Sequence, residues 1–369
     1  MINPSDFLKC IKQNRINFYT GVPDSLFSGL CSFMETEKNH ISATNEGSAI
    51  GLAIGHYLAK KQLPLVYLQN SGLGNIINPI TSLVNKDIYQ IPIVMLIGWR
   101  GEIEKGKQIS DEPQHKFQGK ITIDLLKLLK IKFIIINNKS DYKKRIKDIV
   151  SYSRRNLSPV AIVIRKNTFK KYKKIKRENF IYPKRREILN KIVESLPNNF
   201  PIVSTTGVLS RELIEINILR KEKINPFICV GGMGHASSIA NGLAFSKKNK
   251  KIICLDGDGA ALMHLGSQIN LSAMKNIIHI LINNNCHDSV GGQSTPSKNI
   301  KFYKLAKELG YKNTYYIEKI ADIKKVLKKC LIQPQAFIEI KSSKGYSKNL
   351  SRPNKKILFY KKEFIKRLK

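Results

Sequence analysis

The chain has 369 residues, a formal net charge of +37 and 42% hydrophobic residues. That length suits two domains of ordinary size, and the apolar share excludes a disordered or collagen-like chain. No apolar run reaches the ~20 residues of a membrane-spanning helix. The N-terminus MINPSDFLKC lacks the charged-then-apolar pattern of a signal peptide, so a cytoplasmic protein is expected.

In chain order, helix-like and strand-like segments alternate. A small-residue helix is expected over 47–61, then apolar strand runs at 65–68 (LVYL) and 93–97 (IVMLI), a helix at 121–129, and strands at 131–136 and 160–164. The strand runs are continuous rather than alternating, as parallel strands covered on both faces require. The pattern stops at the basic stretch 167–186 (NTFKKYKKIKRENFIYPKRR), which reads as a linker. It restarts with strand runs at 202–203, 227–230, 252–255, 277–282 and 336–340, and a last basic helix or tail covers LFYKKEFIKRLK. The βαβ rhythm predicts two α/β halves, each a doubly wound parallel sheet.

The six cysteines, at 10, 31, 229, 254, 286 and 330, form no CxxC pair. That excludes a disulfide framework and a zinc cluster. Of the 64 basic residues, 51 are Lys and 13 Arg, and most are dispersed. A nucleic-acid reader would cluster Arg among aromatics, so no nucleic-acid or membrane partner is expected. A dispersed basic field still attracts anionic substrates.

The chemistry concentrates where strands end. The run 251–255 (KIICL) enters Asp256-Gly257-Asp258-Gly259-Ala260. Two glycines let the backbone approach an anion, and the following helix N-terminus offers free N–H groups to phosphate. Asp258 sits at the strand end, where it can hold a divalent metal beside that phosphate. The next strand run ends in Asn283-Asn284, with Asn284 26 residues beyond Asp258. One intervening helix would return the chain to the same carboxyl edge, where Asp258 and Asn284 can meet around one hard cation such as Mg2+.

This GDG–spacer–NN pattern resembles the thiamine diphosphate-binding motif, and other segments extend the likeness over nearly the whole chain. Gly231-Gly232-Met233-Gly234-His235 resembles the segment that grips the aminopyrimidine. Met233 is implied as the wedge between the cofactor rings, and Gly231 as a backbone contact. Ser204-Thr205-Thr206-Gly207 resembles the diphosphate turn, with Thr206 and Gly207 the implied contacts. Cys286 would lend its backbone carbonyl to the metal. Glu46, in TNEGSA, would otherwise read as a partner for a helix dipole. Here it resembles the family's activating glutamate, which shares a proton with N1′ of the aminopyrimidine and favours the 4′-imino tautomer. The resemblance implies thiamine diphosphate and Mg2+ as cofactors, and a homodimer or higher homo-oligomer with shared active sites. It also implies a pyrimidine-binding domain at 1–167, a linker at 168–186 and a diphosphate-binding domain at 187–369, without the central third domain of many relatives.

Within that superfamily the chain resembles the phosphonopyruvate decarboxylase family through TGVPDS, NEGSAIGLAIGHYLA, LPLVYLQNSGLGNIINP, IGWRGE, DEPQH, GGMGHAS, LDGDGAALMHLGS and HDSVGGQ. The implied reaction converts 3-phosphonopyruvate, a small-molecule 2-keto acid, to 2-phosphonoacetaldehyde and CO2, a step of phosphonate biosynthesis. Ser25 lies where related decarboxylases place a substrate-binding serine, and Asp24 beside it is a proton carrier or a helix cap. Gln69, Asn70 and Ser71 end a strand at the catalytic edge and are candidate substrate contacts. His115 and His287 are proton-transfer candidates. Arg100 follows a strand and could grip a phosphonate bidentately. The competing expectations are sulfopyruvate or another 2-keto acid as substrate and, in a different class, a basic binding protein without catalysis.

Overall fold

The computed structural model describes residues 1–171, 181–347, 350 and 355–368. The chain divides into two compact units, Met1–Lys176 and Arg177–Lys369. In the first, six strands run parallel: β1 (Tyr19–Gly21), β2 (His40–Ser42), β3 (Leu65–Gln69), β4 (Val94–Gly98), β5 (Lys132–Ile136) and β6 (Val160–Ile164). Their order is β2-β1-β3-β4-β6-β5. The second unit repeats this order with its own six parallel strands. These are β7 (Phe200–Ser204), β8 (Ile224–Ile228), β9 (Ile252–Gly257), β10 (Ile277–Asn283), β11 (Thr314–Ile317) and β12 (Ala336–Lys341), ordered β8-β7-β9-β10-β12-β11. Among the described residues there is no third unit, and no helix is long and apolar enough to cross a membrane.

The apolar strand runs are continuous because each sheet separates two cores. Successive side chains of a strand point to opposite faces. Thus Leu65 and Tyr67 of β3 enter one core, and Val66 and Leu68 the other. In β9, Ile253 and Leu255 face one core while Ile252 and Cys254 face the other. Both faces are helix-covered, so polar alternation has no place in these strands.

Short or half-buried elements escaped the sequence reading. β1 and β2 have three residues each, and β11 carries polar and half-buried positions. The helix expected at 121–129 starts earlier and spans Pro113–Leu128, with the proline in its first turn, where its missing N–H costs nothing. The run expected at 227–230 is paired over Ile224–Ile228 instead. The C-terminal helix forms over Ile357–Arg367.

Both described ends of the stretch expected as a linker, 168–186, belong to the folded units. Thr168 and Phe169 are buried in the first unit, where Phe169 stacks edge-on against Phe7 at 5.0 Å. Ile2 N–H donates to the Thr168 carbonyl at 2.8 Å. At the other end, Arg185 and Arg186 already open the helix Arg185–Ser195. Residues 172–180 of the stretch lie outside the described residues.

Candidate active site

In each sheet the strand order reverses beside the first strand, between β1 and β3 and between β7 and β9. Connections leave in opposite directions there, opening a crevice at the carboxyl ends of the strands. The predicted residues gather at those two edges.

In the first unit, Glu46 is the first residue of the helix Glu46–Lys60, which Asn45 caps by accepting from the Ser48 N–H at 2.8 Å. The Glu46 side chain is buried, and its Oε2 accepts from Asn75 Nδ2 at 2.7 Å. Its stem lies against the backbone of Gly72, where an added Cβ would stand 2.5 Å from Glu46 Cγ. Asp24 is fully buried and caps the short helix Ser25–Phe27 through the Leu26 N–H at 2.7 Å. Gln69 Nε2 donates to Asp24 Oδ2 at 2.5 Å, and Ser71 Oγ donates to Gln69 Oε1 at 2.8 Å. The turn 69–72 therefore touches Asp24 at one end and Glu46 at the other. Burial pushes the Asp24 carboxyl above its ordinary range, against the hydrogen bonds from Gln69 and Leu26.

Arg100 is already engaged by a carboxylate. Its Nε and Nη2 donate to Asp111 at 2.8 and 2.6 Å, so one bidentate fork is already filled by a carboxylate. Nη1 reaches Ser25 Oγ at 3.1 Å. Burial works to raise the Asp111 carboxyl, but hydrogen bonds from Arg100 and from the Glu112 and Gly101 N–H groups hold it well below its usual range. Asn70 is engaged at the same edge. Its Nδ2 donates to the Arg100 carbonyl and to Thr122 Oγ1, both at 2.9 Å, and its Oδ1 accepts from the Arg100 N–H at 3.2 Å. Asn70 thus staples two strand ends to the helix Pro113–Leu128 through both ends of its amide. His115 is buried in the first turn of that helix, and burial together with the Arg100 charge lowers its pKa.

In the second unit, Asp258 is 2% exposed at the first position of the helix Asp258–Met263. Its Oδ2 accepts from Ser297 Oγ at 2.8 Å and from Thr295 Oγ1. Burial nonetheless pushes this carboxyl up. Asn284, also buried, follows β10, and Cys286 N–H donates to its Oδ1 at 3.1 Å. The Cys286 thiol is buried and donates to Asp288 Oδ1 at 2.9 Å, so only the backbone of Cys286 could serve as a metal ligand. His287 lies over the glycine turn: a Cβ on Gly259 would come 2.7 Å from its Cε1. Burial lowers the His287 pKa to about 4, and its buried Nε2 has no hydrogen-bond partner among the described residues.

The turn at Thr206-Gly207 meets the same segment. Gly207 has φ +94°, a conformation that glycine adopts without strain. The next N–H, that of Val208, donates to Ser289 Oγ at 3.0 Å. His287, Asp288 and Ser289 thus join the ends of β7, β9 and β10. The turn of Gly231 and Met233 docks beside Ala260, since a Cβ on Gly234 would come 3.0 Å from Met263 Cβ and 3.2 Å from the Ala260 carbonyl. Met233 is half-buried there. Gly257 has open space where a Cβ would stand.

Sequence reasoning missed Asn75 and Gly72 around Glu46, Asp111 around Arg100, and Thr295, Ser297 and Asp288 around the second edge. A weak signal existed for Asp111 and Asp288, which lie inside motifs already singled out, DEPQH and HDSVGGQ. The hydroxyls on Asp258 carry no local pattern.

The family described as thiamine pyrophosphate enzyme, N-terminal TPP binding domain, matches residues 5–128, and its C-terminal TPP binding domain matches residues 216–340. The chain is 29% identical over 344 residues to a phosphonopyruvate decarboxylase of Streptomyces hygroscopicus, covering 88% of this chain and 83% of that one. To a phosphonopyruvate decarboxylase of Streptomyces viridochromogenes it is 30% identical over 349 residues, covering 89% and 85%. It is also 36% identical over 174 residues to a sulfopyruvate decarboxylase subunit beta of Methanocaldococcus jannaschii, covering 46% of this chain and 89% of that one.

Proposed function

The chain belongs to the phosphonopyruvate decarboxylase family of thiamine pyrophosphate enzymes and is a carboxy-lyase, and on that premise we propose that its substrate is 3-phosphonopyruvate, cleaved to 2-phosphonoacetaldehyde and CO2 with Mg2+ as metal. The observation that carries the substrate reading is likeness to two phosphonopyruvate decarboxylases over nearly nine-tenths of the chain.

The donor set fits the cofactor pair. A buried carboxylate, a buried amide oxygen and a backbone carbonyl (Asp258, Asn284 and Cys286) are the hard ligands Mg2+ takes beside phosphate. The open space at Gly257 and the unstrained Gly207 turn suit a diphosphate against backbone N–H groups. Thiamine diphosphate, when bound, supplies an electron sink for the loss of CO2.

The chain's own residues do the rest. Glu46 has Oε2 held by Asn75, which leaves Oε1 to hold or give up a proton. Asp24, pushed up by burial, keeps its proton to higher pH than an exposed carboxyl and is the proton carrier we assign to this edge. His115 and His287, both lowered by burial, are neutral near pH 7, the form that can hydrogen-bond a reacting group but takes up a full proton less readily than a free imidazole. Arg100 is held by Asp111 and offers the Nη1 end of its guanidinium, next to Ser25, to the phosphonate. The proposed partner is a second copy, in a homodimer or larger homo-oligomer with shared active sites. Gly51 and Gly55 support this: both leave open space on the helix Glu46–Lys60, beside the exposed Leu58, where another copy could approach closely.

The test compares CO2 release from phosphonopyruvate, sulfopyruvate and pyruvate at equal low concentration with thiamine diphosphate and Mg2+. Preference for phosphonopyruvate, with the aldehyde formed, is expected. The second reading, sulfopyruvate, is favoured by the higher local identity to the Methanocaldococcus jannaschii subunit, and preference for that substrate would replace the first.

A further inference from the structure

A line of buried charge runs behind the cation ligands, and the chemistry above does not use it. Arg185, 6% exposed, comes from the end of the basic stretch. Its Nε donates to Glu212 Oε2 and its Nη1 to Asp288 Oδ2, both at 2.8 Å, and its Nη2 donates to the Gly345 carbonyl at 3.2 Å. Asp288 accepts on the same Oδ2 from Asn284 Nδ2 at 2.7 Å, and on Oδ1 from the Gly345 N–H at 3.0 Å. Glu212 is 1% exposed and Asp288 9%. Charges this deep persist only when paired and hydrogen-bonded.

The consequence lies in the Asn284 amide. Its oxygen and nitrogen ends have nearly the same shape, but only the oxygen can ligate a hard cation. A carboxylate accepts and never donates, so Asp288 can hold only the NH2 end. A flipped amide would press Oδ1 against the Asp288 carboxylate in a site with little water to screen the repulsion. Oδ1 is therefore turned away from Asp288 and accepts from the Cys286 N–H at 3.1 Å. Arg185 holds the Asp288 carboxylate in place, and Glu212 fixes Arg185.

We propose that Asp288, anchored by Arg185, is a positioning residue that sets the amide orientation of Asn284 and thereby the cation affinity of the site. This rests on Asn284 being a cation ligand. Groups that orient metal ligands in this way typically change metal affinity by ~10–100-fold when removed.

The experiment is a calorimetric titration of Mg2+ into the full-length protein at fixed thiamine diphosphate, with ligand-free melting temperature recorded separately. Asp288→Ala should raise the Mg2+ half-saturation by ~10-fold or more. Asp288→Asn should shift it by less than ~3-fold, since the Asn oxygen still accepts from the Asn284 NH2. A purely structural role would instead move both variants alike, because both leave Arg185 Nη1 without the Asp288 carboxylate. Asp288→Ser, whose hydroxyl stops short of Asn284, replaces the alanine variant should that one fail to fold. Asn284→Leu is the control. If it leaves the Mg2+ requirement unchanged, Asn284 is no ligand and the underlying reading fails. If it raises the requirement while the Asp288 variants shift equally or not at all, the positioning role is overturned.

Discussion

Gly72→Ala isolates the placement of Glu46 from its chemistry. Gly72 has φ −77° and ψ −7°, a conformation open to alanine, so the substitution adds volume without backbone strain. The new Cβ would stand 2.5 Å from Glu46 Cγ and 2.6 Å from Cδ, whereas ordinary contact begins near 3.4 Å. The side chain must retreat by about 1 Å. Glu46 is 5% exposed, so the retreat is confined, and the 2.7 Å bond from Asn75 stretches or breaks. A displacement of ~1 Å of a catalytic group can cost ~100-fold in rate. Overpacking of this kind costs ~1–3 kcal/mol of stability. Steady-state CO2 release should fall toward the floor set by Glu46→Gln, which removes the carboxylate and should cost ~10²–10⁴-fold if its proton transfer is general acid–base in kind. Calorimetric affinity for thiamine diphosphate should stay near that of the parent. Gly74→Ala, in the next helix with open space at its Cβ, is the matched control. It should be neutral or gain ~0.4–1 kcal/mol. Turnover of Gly72→Ala equal to that of Gly74→Ala would refute the inference that the Gly72 backbone sets the Glu46 position.

Three further outcomes are expected. Asp258→Ala should abolish Mg2+ and thiamine diphosphate binding together by calorimetry, and Ser297→Ala should weaken both more mildly by removing the 2.8 Å bond to Oδ2; retained Mg2+ binding in Asp258→Ala would exclude it as ligand. Arg100→Lys cannot reproduce the paired bonds to Asp111 or the bond to Ser25, so KM for phosphonopyruvate should rise ~10-fold with kcat little changed, and an unchanged KM would remove Arg100 from substrate binding. Asp256 and His279 are fully buried, with Oδ2 and Nε2 3.9 Å apart, and burial pushes Asp256 from 3.8 up to about 7 and His279 from 6.5 down to about 3. Between pH 3.8 and 6.5 folded Asp256 keeps a proton that the unfolded residue has lost, so its contribution to stability falls as pH rises. Over that window folded His279 lacks a proton that the unfolded residue carries, so its contribution falls as pH drops. Each slope is about 1.4 kcal/mol per pH unit at most and the two oppose one another. In ligand-free protein with chelator, Asp256→Asn should steepen the loss of stability toward acid, and His279→Gln should tilt the curve the other way. Parallel stability–pH curves for parent and both variants would refute the opposed titrations.

Much of the architecture was legible because it is encoded locally. A strand covered on both faces must be apolar at every position, and 160–164 shows this without interruption, matching Val160–Ile164 residue for residue. β1 and β2 escaped because three residues are too few for any period to register. At the site, the glycine turn around Asp258 and the asparagine after β10 could be read because turn and strand end are contiguous in the chain. Arg100 was visible as a strand-end arginine, but its engagement by Asp111 was not, since the intervening hairpin folds one onto the other.

The amino-acid order by itself determined two doubly wound units and the sheet edge at which each motif sits, because strand periodicity and βαβ connectivity place loop residues at carboxyl ends. Only the tertiary structure decided which polar groups turn inward and which hold the reactive ones. Asn75 meets Glu46 across 29 positions, Asn70 meets Thr122 across 52, and Arg185 meets Asp288 across 103. Such pairs leave no mark on local periodicity. Their free energy is gained only once the packed sheet has excluded water from both partners, so their identity is a property of the assembled edge.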